Sequence, residues 1–330
     1  MKIQTNRFLI LAVIISLVAI SHAINAQSDR KLKPVIDGDW WSVGDNPDLG
    51  ELTGDRQQPV DFGVWQAEDG TWQLWSCIRG TKDPGKTRLF HGWEGQQITD
   101  SIWVPKGVKM RADPTVGETS GGLQAPHVIR EGDIWIMFYG DWSSICMATS
   151  KDGKIFKRVI QDNMERVTAM FSDGAGQNTR DAMVIKIGDT YYNYYTSGAG
   201  LWGEQAHKTD GAVYCRTSKD LVHWSDRIVV SRAGSITGRG WGAHECPHVV
   251  HVEGYYYLFR TQAYGKNNIT TVYRSKDPLD FGIDTDEGYF VNRLPVAAPE
   301  LILYKGQWFI AALNPDLDGI RMAKLRWAVE

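Results

Sequence analysis

The sequence has little net charge, few cysteines and few long apolar runs, and each scarcity excludes a class of function. The net charge is −3 over 330 residues, and there is no charge block, which argues against a nucleic-acid partner. The four cysteines have no metal-ligand spacing and lie at or inside predicted strands, so we interpret them as buried reduced thiols. No low-complexity segment marks a linker, and one large domain is therefore expected.

The one long apolar run lies at the N-terminus. Lys2 and Arg7 precede a largely apolar stretch of 13 residues, and the small residues Ala23 and Ala26 follow it. Such a stretch is too short to span a bilayer, and the layout is typical of a secretory signal peptide. We therefore predict that residues 1–26 are removed, that the product is periplasmic or secreted, and that no membrane span follows.

Five segments of the chain share one pattern. Each has an apolar strand, a glycine-centred turn and a strand rich in aromatic residues. The segments are residues 60–77, 124–141, 179–198, 244–262 and 297–314. A repeat of this length is typical of β-propellers and other repeat architectures.

A second signature follows three of the five segments. A Ser-Lys-Asp sequence ends a strand, and an aromatic residue stands six positions after the serine. The serines and aromatics are Ser150 and Phe156, Ser218 and Trp224, and Ser275 and Phe281. The aspartate can turn the chain by bonding its own backbone. One blade would consist of the hairpin, a third strand, this turn and a fourth strand. We therefore predict an all-β fold, a single five-bladed β-propeller over residues 27–330. A β-sandwich, the alternative, does not predict a regular period.

The inner strand of each blade of a propeller lines a central channel. The residues near the starts of the five predicted inner strands are Asp61, His127, Asp181, Glu245 and Glu300. Asp61, Asp181 and Glu245 come from three different blades and can therefore meet in one funnel. Glycoside hydrolysis needs one protonated carboxyl and one ionised carboxylate, and a third carboxylate can raise the pKa of the acid.

At these acids the chain resembles the five-bladed propeller glycosidases of glycoside hydrolase families 43 and 32. Residues 180–182 (Arg-Asp-Ala) are similar to the Arg-Asp-Pro motif of that group, and residues 245–247 (Glu-Cys-Pro) to its Glu-Cys-Pro motif. The spacings from Asp61 to these motifs look like those of family 43. The resemblance implies a secreted glycosidase that cleaves an oligosaccharide or polysaccharide.

The resemblance also implies roles for individual residues. Asp61 would be the base or nucleophile, Asp181 would orient and tune the site, and Glu245 would be the general acid. Arg180 would bind a sugar hydroxyl or carboxylate beside them. His127 is either a substrate ligand or a hydrogen-bonding residue of the channel wall.

Three departures from the family pattern affect these assignments. Asp61 and Asp181 are not followed by proline, and no histidine occurs after His251. The axial calcium-binding histidine of many family 43 members thus lacks a counterpart in the fifth blade, so we predict no metal or other cofactor and activity that survives chelation. Another acid could replace Asp61 as base, and the alternatives are Asp37, Asp39, Asp45 and Asp48.

Several further residues are candidates for sugar binding. Trp202 and Trp241 lie in glycine-rich segments, where indole rings can stack on sugar faces, and Trp40-Trp41 could close one side of the pocket. Arg260, together with Arg180, Arg239 and His127, hints at an anionic sugar. We therefore also expect Arg260 to bind substrate, and we expect the protein to be a monomer.

Three other functions fit parts of the pattern. A six-bladed sialidase uses similar turns but needs a sixth blade, and a propeller lyase would use His127 or a tyrosine as base. A sugar-binding propeller without activity predicts loss of one or more channel acids. Because all three acids are present, the sequence favours an enzyme.

Overall fold

The computed structural model describes residues 30–161, 168–174, 176–198, 211–236 and 244–330. These residues form 21 β-strands and short 3₁₀ turns, with no α-helix among them. The strands make five antiparallel sheets, so the prediction of a five-bladed β-propeller is confirmed. No helix in the described part of the chain could cross a membrane. The predicted signal peptide lies outside the described residues.

Four blades follow one another along the chain. The first described strand, β1 (Leu32–Asp45), belongs to the last blade. Blade 1 comprises β2 (Gln58–Gln66), β3 (Trp72–Arg79), β4 (Leu89–Gly95) and β5 (Val104–Met110). Blade 2 comprises β6 (Gln124–Glu131), β7 (Ile134–Gly140), β8 (Ile145–Ser150) and β10 (Ala169–Phe171), with β9 (Lys157–Arg158) beside β8. Blade 3 comprises β11 (Arg180–Ile187), β12 (Thr190–Ser197), β13 (Ala212–Ser218) and β14 (Ile228–Ser231). Blade 4 comprises β15 (Glu245–Val252), β16 (Tyr255–Ala263), β17 (Ile269–Ser275) and β18 (Phe290–Leu294).

The fifth blade closes the ring with the N-terminal strand. It comprises β19 (Glu300–Tyr304), β20 (Gln307–Leu313), β21 (Gly319–Val329) and, antiparallel to β21, β1. Only three strands of this blade come from the C-terminal end of the chain, and β1 covers the edge that they would leave unpaired. This closure joins the two ends of the propeller through one sheet.

The closure removes β1 from the central channel. Asp37, Asp39 and Asp45 lie on the outer strand of blade 5, where Asp37 faces Arg326 at 3.6 Å. Asp48, just beyond β1, accepts the backbone N–H of Gly50. The expectation that Asp37, Asp39 or Asp45 could act as base is therefore wrong, because the outer strand that carries them does not reach the inner channel. For Asp48, which lies beyond this strand, the alternative stays a prediction. Trp40 and Trp41 are likewise part of the outer wall and not of a pocket.

The aromatic residue after each Ser-Lys-Asp turn packs against the preceding blade. Phe156 lies 5.3 Å from the ring of Trp75 in blade 1, and Phe281 lies 6.2 Å from Tyr194 in blade 3. The aspartates bond the backbone as predicted: Asp152 Oδ1, for example, accepts the N–H groups of two following residues. Edge-to-face aromatic contacts between neighbouring blades thus hold the ring together.

Candidate active site

The start of every inner strand has the same unusual backbone. One residue in each blade adopts a positive φ, in the left-handed region that L-residues other than glycine, asparagine and aspartate rarely occupy. These residues are Asp61 (+37°), Ala125 (+43°), Asp181 (+60°), Cys246 (+47°) and Ala298 (+48°). In blades 1 to 4 the inner hairpin shifts register at this point, which marks a β-bulge. Bulges re-aim side chains, and the left-handed residue marks an equivalent position at the channel in all five blades.

Two of the bulge residues are acids that come together. Suitable atoms of Asp61, Asp181 and Cys246 all lie within 4.8 Å of one another. Cys246 connects the two carboxylates, because its thiol donates to Asp61 Oδ1 at 3.2 Å and its backbone N–H donates to Asp181 Oδ2 at 3.1 Å. Asp181 is buried, with 4% of its surface exposed. The expected convergence of blades 1 and 3 is therefore present.

The third acid, Glu245, sits one position before the bulge of blade 4. Its carboxylate pairs with the Nη2 group of Arg180, which occupies the equivalent position in blade 3. The Nε of Arg180 lies 3.7 Å from Asp181 Oδ1. Arg180 thus lies between the two carboxylates, and its expected contact with a sugar would have to be made from this paired position.

Two of the three carboxyls, those of Glu245 and Asp181, have a raised pKa. Burial raises the pKa of Glu245 to about 7, and repulsion by Asp181 and Asp61 adds to the rise, whereas Arg180 opposes it. Burial also raises the pKa of Asp181, against the attraction of Arg180. A carboxyl whose pKa lies near neutrality can supply a proton. The arrangement therefore provides one candidate acid, Glu245, beside two further carboxylates.

Cys246 and Tyr264 are site residues that the sequence reasoning did not single out. The Tyr264 hydroxyl lies 3.2 Å from Cys246 Sγ, so a chain of hydrogen bonds runs from Tyr264 through the thiol to Asp61. Burial raises the pKa of both groups well above the ordinary values, and both stay protonated. The Glu-Cys-Pro motif could have pointed to Cys246, but no signal in the sequence marks Tyr264.

A second layer lies deeper in the channel, two positions after the bulges. It includes His127, His248 and Glu300, and Glu300 Oε2 lies 3.9 Å from His127 Nδ1 and 3.5 Å from His248 Nδ1. His127 Nε2 is also bonded to the carbonyl of Val184 at 3.1 Å. The cavity between the two layers is about 20 Å³, far below the roughly 300–1,000 Å³ of ligand pockets. His127 therefore lines the channel beneath the acids, next to a cavity that is too small for a sugar ring.

Neither layer offers the ligand set that calcium prefers. The deeper layer supplies one carboxylate and two imidazoles from the described residues, whereas calcium takes six to eight oxygen ligands. In the upper layer, formed by Asp61, Asp181 and Cys246, the thiol of Cys246 donates a hydrogen bond to Asp61 and its backbone N–H donates one to Asp181. The thiol is protonated, and a protonated thiol is a poor metal ligand. The described residues thus do not supply calcium with an oxygen cage made by the protein alone, and the fifth blade contributes Glu300 in place of a histidine.

Three of the expected sugar ligands lie elsewhere or outside the described residues. Arg260 is fully buried between blades 3 and 4, where it donates to Ser231 Oγ and to the Tyr273 hydroxyl. The expectation that Arg260 binds substrate is wrong, because its side chain points into the space between the sheets. Trp202 and Trp241 lie outside the described residues.

The fold is similar to that of solved glycosidases. A thermostable family-43 glycoside hydrolase matches with a TM-score of 0.59 and 18% identity, over 86% of this chain and 92% of that one. The GH43_1 enzyme from Xanthomonas citri complexed with xylose matches with 0.57 and 15%, over 88% and 93%. The GH32 β-fructofuranosidase of Bombyx mori matches with 0.58 and 15%, over 93% and 65%. No protein-family model matches the sequence, and no relative is found among curated proteins. The expected resemblance to these two families is confirmed at the level of the fold.

Proposed function

We propose that this protein is a secreted glycoside hydrolase that cleaves an oligosaccharide or polysaccharide with three carboxyl groups. The observation that carries the proposal is the meeting of Asp61 and Asp181 through Cys246, with Glu245 paired to Arg180 beside Asp181 and with a pKa of about 7 for Glu245. Glycosidases need an acid and a base or nucleophile with separated pKa values on opposite sides of the scissile bond. The similarity to solved family 43 and family 32 folds supports the same reading.

Each residue has a defined part in the proposed reaction. Glu245 protonates the leaving oxygen, and Asp61 activates a water molecule that attacks the sugar carbon from the other side. Asp181 raises the pKa of Glu245 by its charge, and Arg180 holds the Glu245 carboxyl in place. The thiol of Cys246 and the hydroxyl behind it fix the orientation of Asp61.

We propose inversion of the anomeric centre and attack at the chain end of a plant or algal glycan. Inversion is proposed because the spacing of the acids along the sequence resembles family 43 more than family 32. The test is to incubate the protein with chromogenic glycosides and with plant and algal oligosaccharides, and to follow the released sugar by NMR. An α-anomer formed first from a β-glycoside, or the reverse, would support inversion, and retention would contradict it. Release of long products before monomers would contradict attack at the end.

Export and a monomeric state belong to the same proposal. The N-terminal segment supports cleavage that leaves Ile24 or Gln27 as the first residue. Mass spectrometry of the mature protein tests this, and retention of Met1 would overturn it. Sedimentation analysis tests the monomer, and a mass of twice the chain mass would overturn that part.

A further inference from the structure

A large groove lies on the same end of the propeller as the three acids. Its volume is about 640 Å³, and its walls come from the loops between blades 5, 1 and 2. Gln58 on this wall begins β2 three residues before Asp61, which places it about 10 Å away along the strand. A volume of this size falls within the range of ligand pockets.

One wall of the groove carries positive charge that no carboxylate neutralises among the described residues. The guanidinium of Arg79 donates to the neutral amide oxygen of Gln58 at 3.1 and 2.7 Å. Lys86 Nζ and Arg88 Cζ lie 4.6 and 5.1 Å from the ring centre of Trp142. Lys154, by contrast, is paired with the carboxylates of Asp69 and Glu94. Arg79, Lys86 and Arg88 are instead held by neutral partners and keep their charge for a ligand.

The backbone holds Trp142 in a costly conformation. Its φ is +87°, a region that bulky side chains avoid. The preceding residue, Asp141, accepts the backbone N–H of Ser144 at 2.9 Å and so closes a tight turn. Strained residues of this kind cluster at binding sites, and here the strain presents an indole ring together with two cations at the wall of the groove.

The lining of the groove also includes hydrogen-bond acceptors. Asp55 and Asp318 line the groove, and Asp318 accepts the side-chain amide of Asn314 at 3.1 Å. Carboxylates of this kind can accept bonds from sugar hydroxyls. The groove thus offers cations, an aromatic ring and hydrogen-bond acceptors, which together match a sugar ring that bears both an acidic group and hydroxyls.

We propose that this groove is a subsite for an anionic sugar, a uronate or a sulfated residue, of the glycan whose bond is cleaved at Asp61 and Glu245. The inference rests on the proposed glycosidase function and names its substrate class. Lys86 and Arg88 bind the acidic group, and Arg79 extends the positive wall toward the catalytic acids. Charge-assisted bonds to a carboxylate or sulfate supply the preference over neutral sugars.

The test is direct binding, measured by calorimetry with the inactive Asp61→Asn protein. The ligands are three oligosaccharides of equal length, one with uronate residues, one with sulfate esters and one neutral. We expect at least one acidic ligand to bind about tenfold more tightly than the neutral one, with affinity that falls as salt is added. The double variant Lys86→Gln/Arg88→Gln should lose this preference. The tighter of the two acidic ligands identifies the charged group.

A matched variant separates groove binding from general charge. Lys305 lies over the ring of Tyr304 at 5.0 Å, in the turn between β19 and β20 at the opposite end of the propeller, so Lys305→Gln removes a similar cation without touching the groove. It should bind all three ligands as the parent does. Equal affinity for acidic and neutral ligands, or an unchanged preference in the double variant, overturns the inference.

Failure of the inference can be distinguished from failure of the proposed function. Wild-type protein that hydrolyses neutral glycosides, with no preference for acidic ligands, overturns the groove assignment alone. Binding of an acidic ligand that is lost in the double variant supports the groove, even where no glycosidic bond is cleaved.

Discussion

Blades 1 and 3 differ from blades 2 and 5 in chemistry but not in backbone. Asp61 and Asp181 have the same left-handed backbone conformation as Ala125 and Ala298. This conformation is thus a property of the propeller fold and is present whether or not the residue is an acid. The propeller fold supplies five equivalent backbone positions around the funnel. The type of residue at each position decides whether it can take part in catalysis.

The largest effect is expected from removing the acid of blade 1. Asp61→Asn should lower turnover about 10³–10⁴-fold on every glycoside, because an amide cannot take a proton from water. Asp39→Asn changes an exposed acid on the outer strand of blade 5 and should leave the rate unchanged. Steady-state kinetics on one substrate compare the two. Equal rates for both variants would contradict a catalytic role for Asp61 at the start of the inner strand.

Removing the acid of blade 4 should give an effect that depends on the leaving group. Glu245→Gln should slow hydrolysis of natural oligosaccharides about 10²–10³-fold. A dinitrophenyl glycoside needs no proton on its leaving oxygen and should be cleaved at nearly the original rate. If the variant loses activity equally on both substrates, Glu245 is not the general acid.

The pH dependence gives a milder test of the same residue. The pKa of Glu245 is raised to about 7, and the acid must be protonated, so activity on natural substrates should fall as pH rises through 7. The free energy of unfolding should also fall as the pH rises. A carboxyl with a raised pKa in the folded state stabilises the fold at low pH, and this contribution is lost between pH 4.5 and 7. A pH–rate profile without a limb near neutrality would contradict the assignment.

A smaller effect should separate strain from chemistry at the bulge. Ala298→Gly relieves a left-handed alanine and should raise the free energy of unfolding by up to about 1 kcal/mol. Cys246→Gly relieves the same backbone strain but also removes the thiol that bonds Asp61, so turnover should fall about tenfold. Thermal unfolding and kinetics measure the pair. A Cys246→Gly protein with full activity would exclude a role for the thiol.

The smallest effect is expected from chelation. The described residues do not offer calcium an oxygen cage at either layer of the channel, so EDTA should change the rate by less than twofold, within the scatter of such assays. Activity that is lost with EDTA and restored by calcium alone would contradict this expectation.

The repeat and the acids could be predicted from the sequence, whereas several contacts could not. Strand periodicity and turn residues are local, so five hairpins and the Ser-Lys-Asp turns are readable in one dimension. Arg260 shows the limit: its position on a hairpin next to Glu245 suggested the funnel, but strand alternation directs its side chain between the blades. The acids of β1 show it again, because only ring closure reveals that β1 is an outer strand.

The sequence by itself determined the number of blades and the identity of the acids near the starts of the inner strands, because both depend on residues close together in the chain. The tertiary structure alone decided that Asp61 meets Asp181 through Cys246, that Arg180 pairs with Glu245, and that Lys86 and Arg88 share the ring of Trp142. These contacts join residues from different loops or blades. They depend on the bulges and on the curvature of the closed ring, which set the direction of each side chain and have no local signal in the sequence.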